Sequence, residues 1–221
     1  MSLETLKERL RERLTPPDGW RADGEATRSD FDLNPDATRW VSGPLKPAAV
    51  LIPVVETPEG ARVLLTRRAD SLARHTGQIA FPGGRLDPGE TAVQAALREA
   101  WEEVALDPAA VEVLGLSDAY ETGTGYLVTP VVGWLSRTPD LTPSPDEVAE
   151  IFEVPWDLLM DPAQLRREHL ETPAGVRRWF WSVTYEDRYI WGATAGIVRA
   201  LRLRLYGDEG EPAMATAEDA A

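Results

Sequence analysis

Apolar positions along this chain repeat with two periods, and the switches between them mark out its elements. Leu3, Leu6, Leu10 and Leu14 recur every three or four residues, which predicts an amphipathic helix docked on the main body; a partner-binding helix is the alternative. Residues 15–47 are rich in Pro, Gly and Asp, with Trp20, Phe31 and Trp40 scattered among them. They read as an irregular segment that packs by its aromatics. Ala48–Val55 is a continuous apolar run, the mark of a buried strand, and Thr57–Gly60 turns it into a partner strand over Val63–Thr66. Gly77–Phe81 continues as strand until Pro82-Gly83-Gly84 breaks it and begins a loop.

A helix follows from about Thr91, with Val93, Leu97, Ala100 and Val104 as its apolar stripe and small alanines at 92, 95 and 96. Val111–Leu116, Ser117–Tyr120, Tyr126–Leu135 and Val148–Val154 read as strands, with Thr138–Pro145 a loop. Pro155–Met160 and Asp161-Pro162 open short helical turns. Arg177–Tyr185 and Tyr189–Trp191 form a hairpin, and Thr194 caps a last helix that buries Ile197, Val198, Leu201 and Leu205. His169 reads as plain loop. Strands interleaved with helices predict an α/β (α+β) fold, a mixed sheet covered by helices on both faces.

Composition narrows the function. With 221 residues and 43% apolar content, the chain reads as one domain over residues 47–206, an N-terminal extension over 1–46 and an acidic, disordered tail over 207–221. A net charge of −14 argues against a nucleic-acid binder, which needs a basic face. An anionic small molecule remains open, because local cations override global charge. There is no cysteine, so disulfides, zinc–thiolate sites and a thiol nucleophile are excluded. The N-terminus lacks the apolar core of a signal peptide, and no apolar run is long enough for a bilayer, so a cytoplasmic protein without a membrane partner is expected.

The chemistry concentrates in Gly84–Leu106. Glu102 and Glu103 follow Glu99 by three and four residues, which gathers three carboxylates on one helix face. Such a cluster repels itself unless a cation sits in it; alone, it also fits an ordinary solvated acidic face. Carboxylates without His or Cys select Mg2+ or Mn2+ over zinc. Gly83 and Gly84, lacking side chains, let the backbone of the preceding loop come close to metal or substrate. Metal with phosphate points to hydrolysis of a phosphoanhydride.

These residues also carry a resemblance. Gly84, Glu90, Arg98-Glu99-Ala100-x-Glu102-Glu103 and Leu106 fit the Nudix box G-x5-E-x7-R-E-U-x-E-E-x-G-U, and the chain resembles the Nudix hydrolases. It departs at Ala105, where the box has the Gly that ends the helix, so the helix is expected to run on toward Asp107-Pro108. Upstream, Leu64-Leu65-Thr66-x-Arg68 and His75-x-Gly77 through Gly84, closed by Asp87, are similar to the coenzyme A pyrophosphatase branch; Ala69 departs from it, as does Ala73, with Arg74 one residue on. Gly125–Pro130, Asp146-Glu147-Val148 and Ile190–Thr194 are similar more loosely.

The resemblance implies a Nudix-type α/β/α sandwich that cleaves coenzyme A, or an acyl-coenzyme A, to 3′,5′-ADP and 4′-phosphopantetheine. It implies Glu99 and Glu103 as principal metal ligands with the Gly84 backbone beside them, Glu102 as ligand or base, and Arg98 paired with Glu90 as a brace. Glu147 is favoured over Glu102 as general base. Arg67, Arg68, Arg74 and Arg85 are candidates for the substrate phosphates, against the alternative of plain surface arginines. His75 is a phosphate donor or a structural His. Two other readings stand: a Nudix enzyme for another nucleoside diphosphate such as ADP-ribose, and a catalytically silent Nudix ligand-binding module. The family and the aromatic content suggest a homodimer.

Overall fold

Two strands in the middle of the sheet organise the architecture. In the computed structural model, residues 1–21, 24–37, 43–69, 77–172 and 175–210 are described. The chain runs α1 (Leu3–Arg13), β1 (Arg28–Ser29), β2 (Lys46–Thr57), β3 (Gly60–Arg68), β4 (Ile79–Ala80), β5 (Gly83–Arg85) and α2 (Ala92–Val104). It continues through β6 (Glu112–Leu116), β7 (Tyr120–Glu121), β8 (Tyr126–Leu135), β9 (Val148–Pro155) and α3 (Trp156–Met160). β10 (Arg166–Glu171), β11 (Arg177–Tyr185), β12 (Arg188–Trp191) and α4 (Ala193–Tyr206) complete it.

β2 and β8 pair in parallel from Lys46↔Tyr126 to Val55↔Leu135. On its other side β2 pairs first with β5, at Ala48–Val50, and then with β3, from Val54. The main sheet runs β1-β7-β8-β2-β3-β4, with β5, β6 and β9 branching from it; β10-β11-β12 forms a second, antiparallel sheet. Pro53 lies inside a central strand, where a missing N–H would cost a ladder bond. Its nitrogen points the way the Leu51 nitrogen does, and Leu51 N–H bonds the Pro82 carbonyl. Pro53 therefore falls in the gap between β5 and β3, where no partner strand asks for its N–H.

Alternation along β2 splits the core. Ala49, Leu51 and Val55 face α2, whose Ala92, Ala95, Ala96, Ala100 and Val104 are buried against them. Ala48, Ile52 and Val54 face the other way, toward leucines of α1, Trp156 and Leu159 of α3, Leu201 and Leu205 of α4, and Trp181 and Ile190 of the second sheet. Helices thus cover both faces of a mixed sheet, the α/β/α sandwich expected. Among the described residues no helix is long and apolar enough to cross a membrane.

Several expectations need correction. The alanines of α2, not Val93 and Leu97, meet the sheet, because only small side chains let the helix approach; Val93 and Leu97 are partly buried at the flank. α2 does not run on: Ala105 itself takes the left-handed conformation (φ 56°, ψ 30°), and its N–H bonds the Ala100 and Trp101 carbonyls. Gly83–Arg85 is a strand, not the start of a loop. Ser117–Ala119 is not strand; β7 covers only Tyr120–Glu121. His169 lies in β10 opposite Trp179, in a polar run whose alternation carries no apolar signal. Thr194 does not cap α4; Gly192 precedes the helix with φ 64°, and the Thr194 hydroxyl donates to the Ile79 carbonyl at 3.0 Å. Gly207–Gly210 is held by Arg202, which donates to the Gly207 and Glu209 carbonyls. Residues 211–221, Trp40, Arg74 and His75 lie outside the described residues.

Candidate active site

The site is assembled where the start of β5 passes under the last turns of α2. α2 begins with a reciprocal cap, in which Thr91 Oγ1 accepts from Gln94 N–H and the Gln94 side chain accepts from Thr91 N–H. This fixes the phase of the helix and so the direction of its glutamates. Glu103 is buried, only 4% exposed. Gly83 N–H donates to Glu103 Oε2 at 3.2 Å, and Arg68 Nη1 stands 3.8 Å from Oε1. Burial pushes the Glu103 carboxyl up to about 7, and the nearby charges of Glu99 and Glu147 push the same way, against Gly83 and Arg68. Glu99 is also raised, first by burial, with Glu102 and Glu147 adding and Arg98 opposing. A Cβ on Gly84 would land on the Glu99 carboxylate, and one on Gly83 would meet the Ala49 carbonyl, so both glycines are required by close approach.

Arg98 is the brace. Its Nε and Nη2 grip both oxygens of Glu90 at 2.8 and 3.0 Å, Nη2 also reaches the Arg85 carbonyl, and Nη1 bonds Glu99 at 2.9 Å and Glu102 at 3.0 Å. Glu90 in turn accepts from Asp87 N–H at 2.8 Å, and Arg98 holds its carboxyl below the usual carboxylate range. The guanidinium, its pKa raised by Glu90 first, is charged at any accessible pH. Loop, β5 and α2 are therefore locked by one side chain.

Glu147 comes from the far loop. Ser144 N–H bonds the Glu103 carbonyl, Thr142 N–H bonds that of Val104, and Ala69 N–H bonds that of Glu147. The loop is thus pinned to both the end of α2 and the end of β3. Among the described residues the exposed Glu147 carboxylate has no hydrogen bond or ion pair, whereas Glu102 is already tied to Arg98.

The predicted basic residues separate. Arg68 lies on the α2 side, past a bulge between Arg67 and Arg68. Arg67 turns to the opposite face, opposite Ile79 and Glu150, with its Nε 3.5 Å from Glu150 Oε2. It is not brought to the carboxylates, because neighbouring strand residues point to opposite faces. Arg85 is exposed at the end of β5. Sequence reasoning missed the Gly83 N–H and the Ser144 anchor, which leave no pattern in the chain.

Among the described residues no three Asp, Glu or His side chains form a ready-made metal cage. The donor set nevertheless fits a hard divalent cation: Glu99, Glu102, Glu103 and Glu147 supply only oxygens, and among the described residues the buried Glu103 carboxylate faces Arg68 at 3.8 Å, without a hydrogen bond between them. Glu99 and Glu102 would hold a cation after releasing an oxygen from Arg98.

Known proteins similar to this chain give its family. A NUDIX domain model matches residues 45–180, more than half of the chain. The chain belongs to the Nudix family. It is an enzyme, a pyrophosphohydrolase of that family, whose members generally depend on a divalent cation and act on small molecules built on a nucleoside diphosphate. The uncharacterized Nudix hydrolase NudL of Escherichia coli O7:K1 is 45% identical over 164 residues, 72% of this chain and 82% of that one. NudL of Cronobacter sakazakii gives the same figures. Among solved structures, the Nudix hydrolase RenU from M. Smegmatis is 29% identical, with 52% of this chain and 74% of that one covered and a TM-score of 0.45.

Proposed function

We propose that the chain hydrolyses the diphosphate of coenzyme A or an acyl-coenzyme A, releasing 3′,5′-ADP and (acyl-)4′-phosphopantetheine, with Mg2+ or Mn2+ as the cation. The observation that carries the reading is the path from β3 to β5. The run Leu64–Gly84, which resembles the coenzyme A pyrophosphatase branch, is also the run that sets Arg68 beside Glu103 and Gly83–Gly84 beneath the carboxylates.

A divalent cation bound here would neutralise charge on the phosphoryl oxygens and acidify water. Glu99 and Glu103, with Glu102 beside them, are the groups to hold it, and Arg98 with Glu90 keeps them in position. Glu147, whose carboxylate has no hydrogen bond or ion pair among the described residues, is the group to take a proton from the attacking water. Water oxygen then bonds to one phosphorus, the bridging P–O bond breaks, and the leaving phosphate takes the electron pair. Arg68 and Arg85 are the candidates to meet the phosphates.

The test is product analysis after incubation with Mn2+ and a panel of coenzyme A, acyl-coenzyme A, ADP-ribose and dinucleotides. The expected products are 3′,5′-ADP and 4′-phosphopantetheine. Cleavage of ADP-ribose but not coenzyme A would sink the substrate. No turnover, with no metal binding by calorimetry, would leave a silent ligand-binding domain.

A further inference from the structure

The second sheet has two different edges. On the side facing the body of the molecule, Phe31, Ile79, Trp179 and Trp191 help enclose an aromatic cavity of about 230 Å3. Asn34 closes that side: its side chain bonds both the N–H and the carbonyl of Trp179, each at 2.8 Å. On the other side, β10 has β11 as its only strand neighbour among the described residues. This edge reads Arg166-Arg167-Glu168-His169-Leu170-Glu171, and its last three residues are exposed. Leu170, Val176 and Tyr189, three of the large apolar side chains most open to solvent among the described residues, lie on or beside the same sheet.

Asn34 also reveals which backbone groups the edge presents. In an antiparallel pair, two opposed residues either exchange both bonds or turn their groups away from each other. Trp179 gives its N–H and carbonyl to Asn34, so it exchanges none with His169 opposite it. His169 therefore turns its own N–H and carbonyl out of the sheet, and at period two Arg167 and Glu171 do the same. Thr172 is in the same phase, since its N–H crosses the hairpin to the Val176 carbonyl.

We propose that this edge pairs with β10 of a second copy of the chain, joining the two three-stranded sheets edge to edge. Identical edge strands related by a two-fold axis run antiparallel, and the outward groups require the axis to pass through a residue, not between two. With the axis on His169, Arg167 lies opposite Glu171 of the second copy, twice by symmetry, and Glu168 lies opposite Leu170. Moved one residue toward Arg166, the axis sets Glu168 against Glu168. Moved one residue toward Glu171, it pairs only positions 169–171 of the strand. Charges on an edge strand ordinarily keep another strand away. Here the positive charge at 167 and the negative charge at 171 flank His169 evenly, so reversing the strand sets each on its opposite, and opposite charges across a ladder stabilise it. The same pairing covers Leu170 on the other face.

The chain has no cysteine, which makes the register directly testable. In this pairing the two His169 Cα atoms stand roughly 5.5 Å apart, within disulfide reach. His169→Cys in the full-length protein should cross-link two copies on mild oxidation, and Asp187→Cys, at the exposed β11–β12 turn, should not. Sedimentation of the parent over a concentration series should show a reversible dimer. Arg167→Glu and Glu171→Arg each set two like-charged pairs on the interface and should each weaken the dimer at least about tenfold. Combining them restores opposite signs and should return the dissociation constant to that of the parent. A parent that stays monomeric at every concentration would remove the second copy as occupant. A dimer indifferent to both single reversals, or a combined variant as weak as either one, would overturn the pairing. The cross-link alters neither charge, so it decides the case where a reversal unfolds the hairpin: a folded His169→Cys protein that does not cross-link, or one that does so no better than Asp187→Cys, overturns the register.

Discussion

Glu103 occupies a place that folding alone disfavours for a carboxylate. It is buried, it accepts a hydrogen bond from the Gly83 N–H, and burial pushes its pKa up to about 7. Glu103→Gln keeps an acceptor for Gly83 N–H and removes the charge. Without metal, at pH 8, the variant should be more stable than the parent by roughly 1–3 kcal/mol. The sign follows from the direction of the shift. A raised acid favours folding while protonated, so the parent holds that stability below 4.5 and loses it as pH rises through about 7; the advantage of the variant therefore grows over the same range and vanishes below 4.5. Turnover with Mn2+ should fall about 10³-fold, the scale of losing one charge-stabilising group. Thermal unfolding in EDTA at two pH values and steady-state kinetics check both arms. Ala105 is a second residue under tension, since the left-handed conformation costs an L-residue about 1 kcal/mol or more. Ala105→Gly should raise stability by about 1 kcal/mol in urea unfolding and leave kcat as it is.

Among the elements, the contact of β5 with α2 decides activity. Gly84 pairs with Ala49 on one side and touches Glu99 on the other, so a methyl there must displace the carboxylate or the strand. Gly84→Ala should lower stability by about 1–3 kcal/mol. It should cut kcat about 10²-fold, the usual cost of a misplacement near 1 Å. A variant that loses activity while keeping its melting temperature would still support the placement; full activity would remove it. The helix itself was legible in the sequence, because the Thr91–Gln94 cap, the alanine face and the Glu90–Arg98 spacing are all local. Its end was not. The Gly that usually marks it is absent, and the pull that bends Ala105 comes from Leu106, buried beyond it, and from Thr142, whose N–H bonds the Val104 carbonyl.

Across the whole molecule, α1 closes the face opposite α2. Leu6 and Leu10 are buried, Lys7 and Arg11 pair with Glu112, and Arg204 of α4 donates to the Arg13 carbonyl. α1 is therefore part of the core. Leu10→Ala should cost about 2–5 kcal/mol, within the range for a fully buried leucine, and lower the midpoint of a single unfolding transition. A separate early transition would show α1 to be an independent unit.

The chain by itself determined what depends on neighbours in sequence: the helices, the hairpins, the strand alternation that builds both core faces, and a Nudix box whose carboxylates share one helix face. Only the tertiary structure decided what depends on distant partners. It made Gly83–Arg85 a strand by giving it β2, and it made the polar run Arg166–Glu171 a strand by giving it β11. It set Arg68 beside Glu103 and Arg67 beside Glu150, by giving the two faces of β3 different partners. It brought Glu147 to the site by anchoring Ser144 on Glu103, and it enclosed the aromatic cavity with segments more than a hundred residues apart. Periodicity sets which face a side chain takes within its own element; which other face it meets is settled by packing the whole chain at once.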